Sequence, residues 1–268
     1  MAASALGLAL AAAALHALWN LLLARERDTE ATTAVAFACF VVVLLPLALS
    51  TWRVEAGAWP YIAASGTLEL AYIALLASAY RRFELSLVYP LARGLAPVLA
   101  LLLVVAATAA RPSAGEVAGV VVVATGILLV RGLRRGGRGA PIAVAIAATI
   151  AGYTVVDRYG IEHANVAPYL LLVMLGPALA YPFFVGRMRV GAAIRPVALV
   201  IGAASAATYL LVLLALRLAS APAVSAVRES SVVIAVVLAR TLLAEPVGAR
   251  RIAGSVLVAA GIALLAFS

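Results

Sequence analysis

The chain of 268 residues is 66% apolar and only 12% charged, with a mean hydropathy of +1.14. A soluble domain carries roughly 25% charged residues to face water, so these proportions exclude a soluble globular protein and leave one that works inside or across a bilayer. The formal charge of +9 rests on 20 arginines and no lysine, most of them set singly or in pairs at the ends of apolar runs, which is a topology pattern and not a nucleic-acid-binding face.

Apolar runs long enough to span a membrane fall at 4–24, 31–51, 58–80, 86–108, 114–130, 140–158, 167–186, 196–216, 221–243 and 247–267. The prediction is an all-α integral membrane protein of ten transmembrane helices. The separators, such as Arg25-Glu26-Arg27-Asp28, Arg81-Arg82-Phe83-Glu84 and Asp157-Arg158, are too short to fold alone.

The first run lacks a basic n-region and continues through His16, Trp19 and Asn20 to Arg25, so it reads as a retained helix and not as a cleaved signal. His16 and Asn20 stand four apart and share a helix face. The second run holds the single cysteine, Cys39, among apolar neighbours, where it reads as a small buried hydrophobe and excludes an internal disulfide. The third carries Glu69 in Ser65-Gly66-Thr67-Leu68-Glu69-Leu70-Ala71-Tyr72.

The fourth run reads Tyr89-Pro90-Leu91-Ala92-Arg93-Gly94-Leu95-Ala96-Pro97. Pro90 and Pro97, with Gly94 between them, weaken the hydrogen-bond ladder, and the expectation is a kinked or broken helix whose backbone faces a cavity. The fifth and tenth runs each carry two glycines seven apart, Gly119 and Gly126, and Gly254 and Gly261. Such stripes let backbones approach closely, as a scaffold or a dimer contact. His163 beside Glu162 reads as a solvated loop residue. The ninth run supplies Ser225-Ala226-Val227-Arg228-Glu229-Ser230-Ser231.

Loops after odd-numbered runs hold fourteen arginines and loops after even-numbered runs hold four, so the odd loops are expected in the cytoplasm and both termini outside. A shift of 135 residues lays Arg93 on Arg228, Gly119 on Gly254 and Gly126 on Gly261. Two five-helix units, 1–133 and 134–268, account for this. Because five is odd, the second unit enters from the opposite side, giving the inverted repeat expected of alternating-access carriers.

Ionisable groups inside a bilayer are costly unless paired or hydrated, which makes His16, Glu69, Arg93, Arg228 and Glu229 functional candidates; internal ion pairing is the competing reading. Two guanidinium groups converging at the midplane, with Tyr89, Tyr72, Trp19, Asn20 and Ser230 nearby, favour a small anionic metabolite, because arginine grips carboxylate and phosphate through paired hydrogen bonds. Glu69, Glu229 and His16 are candidates for proton coupling. The runner-up is a proton-coupled exporter of cationic or aromatic drugs, with Glu69 and Glu229 holding the cation and aromatic rings stacking on it. No serine-hydrolase elbow, zinc helix or phosphate-binding loop occurs, so neither an enzyme nor a cofactor or metal site is expected.

The chain resembles the EamA-type members of the drug/metabolite transporter superfamily over essentially its whole length. The resemblance rests on His16-Ala17-Leu18-Trp19-Asn20, on the Tyr89 to Pro97 segment, and on the glycine-spaced fifth and tenth runs. It implies a multi-pass carrier of the bacterial inner membrane for small metabolites or drugs, often an exporter, acting as a monomer or homodimer without a nucleic-acid partner. Two departures stand out. Arg111-Pro112 replaces the glutamate usual after the fourth helix, whereas Glu245-Pro246 keeps it in the second repeat. Members are also commonly drawn with cytoplasmic termini, opposite to the arginine count.

Overall fold

The computed structural model describes residues 1–82, 85–109, 111–131, 139–234, 237 and 248–267. Its long helices are α1 (Ala3–Leu23), α2 (Thr29–Ser50), α3 (Trp59–Arg82), α4 (Leu85–Thr108), α5 (Ala114–Arg131), α6 (Ala140–Gly160), α7 (Val166–Val185) and α9 (Pro196–Leu216). The short α8 (Arg187–Ala192) follows α7, and α10 (Ala221–Arg228) and α11 (Ala249–Phe267) complete the order. Among the described residues, seven helices are long and apolar enough to cross a membrane: α1, α2, α4, α6, α7, α9 and α11. Glu245 and Pro246 lie outside the described residues.

Local chemistry fixes the ends of these helices. The Asp28 carboxylate accepts from the Ala31 amide at 3.1 Å and caps α2. Proline opens α6, α9 and α10, where its missing amide hydrogen costs nothing. Gly186, at φ +95°, ends α7 and lets the chain turn into α8, a conformation that other residues adopt only with strain.

The expected break in the fourth span is elsewhere. α4 runs as one assigned helix from Leu85 to Thr108, so Pro90 and Pro97 do not end it. Gly94 packs close to α5, where an added Cβ would stand 3.1 Å from Leu128. Away from water, a helix that loses two ladder bonds still leaves fewer backbone groups unsatisfied than a broken one. The interruption falls instead in the ninth run: α10 stops at Arg228, Glu229 forms a turn, and helix resumes over 230–234. Tightened bonds from the Glu229 amide to Ala226 O (3.1 Å) and from the Val232 amide to Glu229 O (3.0 Å) hold that turn.

The helices pack across the two halves of the chain. α1 lies on α9 and α3 on α6; α2 meets α7 and α9, α3 also meets α7, α4 meets α6, and α5 runs against α11. Every glycine of the two stripes sits in this last seam. An added Cβ on Gly126 would fall 2.7 Å from Gly254 O, and one on Gly254 would fall 2.5 Å from the Val130 amide. Gly119 faces Leu265 and Gly261 faces Val123 in the same way. The stripes therefore form an intramolecular helix contact. The outward faces carry exposed apolar side chains, among them Val42, Leu49, Leu102, Val121, Leu179 and Phe183, which are placed to meet lipid.

The two ends of the bundle differ. At the end holding the loops after α2, α6 and α9, residues 53–55 pair antiparallel with 163–165 around a Val54–Ala164 bridge. The Glu55 amide donates to His163 O and the Asn165 amide to Arg53 O, each at 2.9 Å. Asn165 Nδ2 donates to Thr51 O at 2.7 Å, and Arg217 Nη2 donates to Ala164 O at 2.8 Å and Ile161 O at 3.2 Å. His163, expected to be solvated, stacks on Tyr61 with ring centroids 5.6 Å apart, and its Nδ1 lies 4.0 Å from Glu55. It is drawn in because the bridge carries its backbone onto the first half.

Candidate functional site

A cavity of about 610 Å³ lies between the halves. α1 contributes His16, Trp19 and Asn20; α3 contributes Glu69 and Tyr72; α4 contributes Arg93; α6 contributes Tyr153; α9 contributes Ser205, Thr208 and Tyr209; and α10 contributes Arg228 at its broken end. The cavity extends to Ala24, Thr29 and Glu30 at the α1–α2 connection, where Ala24 and Thr29 are exposed, so it opens at the end opposite the paired loops. At that mouth Arg189 donates to Asp28 from Nε (2.9 Å) and Nη2 (2.8 Å), and to Glu30 at 2.9 Å. The Arg189 guanidinium holds the Asp28 carboxyl below the usual aspartate range, with the Ala31 amide adding to the effect. The same contact raises Arg189.

The structure separates the residues singled out in the sequence. Arg93 and Arg228 both line the cavity, as do Glu69, Tyr72, His16, Trp19 and Asn20. Their engagements differ. Arg93 Nε donates to Glu229 Oε2 at 3.1 Å while its Nη2 lies 3.0 Å from Oε1, a two-pronged ion pair that is 4% and 2% exposed. Arg228 is half-buried and makes no hydrogen bond or ion pair among the described residues. Ser230 is buried and does not line the cavity, whereas its neighbour Ser231 does. The side chains of Tyr89 and Pro90 lie outside the described residues, and Pro97 and Gly94 do not line the cavity. On α1, Asn20 Nδ2 donates back to His16 O at 2.8 Å, and the His16 and Trp19 rings meet edge to face at 4.8 Å.

Four residues that are not among the sequence candidates, Asp157, Tyr169, Tyr209 and Tyr153, complete the polar interior. Asp157 is 1% exposed and lies one turn inside the end of α6. Its Oδ1 accepts from Tyr169 Oη on α7 at 2.9 Å, and its Oδ2 accepts from Tyr209 Oη on α9 at 2.6 Å. The same Tyr209 hydroxyl lies 3.0 Å from Glu69 Oε1. Tyr153 is flanked by Tyr72 and Tyr209, each with centroids 6.2 Å away. Tyr169 reaches Asp157 because Gly160 leaves room for its ring, where an added Cβ would stand 2.5 Å from it. Tyr153 and Asp157 stand four apart and share one helix face, and that spacing is the signal by which the sequence could have shown them. No group of three or more potential metal ligands occurs among the described residues.

A helical bundle with lipid-facing apolar surfaces around a charged cavity is a multi-pass membrane protein. Residues 137–267 match the model of the EamA-like transporter family. A crystal structure described only as that of a protein is similar in fold, with a TM-score of 0.77 at 18% identity, covering 100% of this chain and 98% of that one. No protein of curated function matches the sequence.

Proposed function

We propose that the protein is a secondary transporter that carries a small polar, anionic metabolite across the inner membrane by alternating access, as an exporter or exchanger. The carrying observation is Arg228, a guanidinium at a helix break in the cavity with no ion-pair partner among the described residues. Burial in a mostly apolar site strengthens its grip on a carboxylate or phosphonate relative to water. Trp19, Tyr72 and Tyr153 offer flat apolar surface to the rest of the molecule.

Ten spans in two inverted units, 1–133 and 134–268, fit the packing. In such an arrangement α1 corresponds to α6 and α3 to α9, so the α1–α9 contact has its mate in α6–α3, and α2–α9 has its mate in α7–α3. A cavity open at the α1–α2 end and closed at the other corresponds to one state of the alternating cycle. By the arginine count the open mouth faces the cytoplasm and the termini lie outside.

The test is thermal unfolding of the detergent-purified protein against benzoate, phenylphosphonate and tetraphenylphosphonium, since a ligand of the native state raises the midpoint. Stabilisation by the two anions, lost in Arg228→Gln, is expected. Stabilisation by the cation alone would replace this reading with a cationic-drug exporter, which the buried acids Glu69, Asp157 and Glu229 would suit.

A further inference from the structure

One phenol sits between two buried carboxyls. Tyr209 Oη is 2.6 Å from Asp157 Oδ2 and 3.0 Å from Glu69 Oε1, yet it carries a single hydrogen. If it donates to Asp157, the contact with Glu69 is a hydrogen bond only when Glu69 carries a proton and donates to the phenolic oxygen. Two ionised carboxylates would leave one acceptor facing another acceptor in a buried site.

The surroundings of this chain are specific. Asp157 meets Tyr169 of α7 and faces Ser65 of α3, whose buried hydroxyl completes no hydrogen bond of good geometry among the described residues. Arg228 of α10 is within electrostatic reach of both carboxyls, and Tyr153 of α6 is within reach of Glu69. Arg93 of α4 is engaged by Glu229 and supplies no free countercharge.

We propose that Glu69, Tyr209 and Asp157 form a proton-binding site, in which the two carboxyls share one exchangeable proton through the Tyr209 hydroxyl. The transfer balances without another reactant. The Glu69 proton passes to Tyr209 Oη as the Tyr209 proton passes to Asp157 Oδ2, leaving Asp157 neutral and Glu69 charged, and the reverse shift restores the first state. Glu69 and Tyr209 line the cavity, so the proton exchanges there, while Asp157 is the buried end of the chain. This extends the transport reading of the cavity by naming its proton site.

Infrared difference spectroscopy of the purified protein at neutral pH tests it without any substrate. The wild type is expected to show a protonated-carboxyl C=O band that shifts in D2O and disappears on alkaline titration. Glu69→Gln and Asp157→Asn should each remove or displace it, and Tyr209→Phe, which keeps both carboxyls, should move its frequency. Circular dichroism checks folding, and Tyr209→Phe and Glu69→Gln suffice if Asp157→Asn fails to fold. Absence of the band, its survival unchanged in these variants, or its failure to shift in D2O overturns the proposal. The ligand panel above is read independently, so an absent acid band leaves the anion reading standing, and a failed panel leaves the infrared result intact.

Discussion

Arg93 and Glu229, 136 residues apart, are joined by two near-parallel contacts of 3.1 and 3.0 Å across the halves of the chain. Removing one member strands a buried charge, at a cost of about 3–5 kcal/mol. Arg93→Gln and Glu229→Gln should each lower the unfolding midpoint strongly, and an Arg93→Met/Glu229→Leu double variant should lose less than either. A midpoint unchanged in both single variants would show that the pair bears no structural load.

The α5–α11 seam gives a second prediction. Gly126→Ala places a methyl against backbone and Val258 at under 3 Å, and overpacking of this kind costs about 1–3 kcal/mol. Gly7 of α1 has nothing within 4 Å, so Gly7→Ala should be neutral or stabilising by up to about 1 kcal/mol. Equal midpoints for the two variants would contradict the close approach of the helices.

The bridge at the closed end can be locked. Val54 and Ala164 occupy the non-hydrogen-bonded position of an antiparallel pair, where Cα atoms stand about 4.5 Å apart, within disulfide range. With Cys39→Ala in the background, Val54→Cys/Ala164→Cys should oxidise readily. Benzoate flux in proteoliposomes should then stop and return on reduction. Undiminished flux in the cross-linked protein would mean that this end never opens.

Acid acts at the mouth through Asp28. Its carboxyl is held below the ordinary value by Arg189, so its contribution to stability is complete above about pH 4 and is lost as pH falls through the lowered value. Between about pH 5 and pH 3 the wild-type midpoint should fall more steeply than that of Asp28→Asn. Parallel curves would show that the contact is too solvated to matter.

If the shared proton accompanies an anion at Arg228, an imposed pH gradient should drive benzoate in the direction of proton flow, and Glu69→Gln should uncouple the two. Flux in the wild type that ignores the gradient would dissociate the proton site from transport.

Much of the fold was legible because membrane helices announce themselves by apolar length. The run 196–216 is α9 to the residue, and most other limits lie within two residues of the helix ends. The break in the ninth run was not legible, since Arg228-Glu229 carries no glycine or proline, while the prolines of α4 suggested a kink or a break and α4 runs unbroken past both. Asp157 was missed because Asp157-Arg158 reads as a polar separator. One more turn of α6 turns Asp157 inward, and Arg158 lies at its partly exposed end, paired with Glu162. The partner of Arg93 follows from tertiary packing alone; sequence offered several acids.

Two of the connections between the halves differ in kind. The α5–α11 seam is a row of backbone contacts with no slack, whereas the 53–55/163–165 closure consists of a few hydrogen bonds at the surface, each worth about 1 kcal/mol net when water can replace it. In the proposed transport cycle, a body rigid along one edge and lightly latched along another would rock about the rigid edge. On that reading the latch would open in the microsecond-to-millisecond range of domain motions, and its tempo would answer to the Asn165 and Arg217 side chains that brace the main-chain pair.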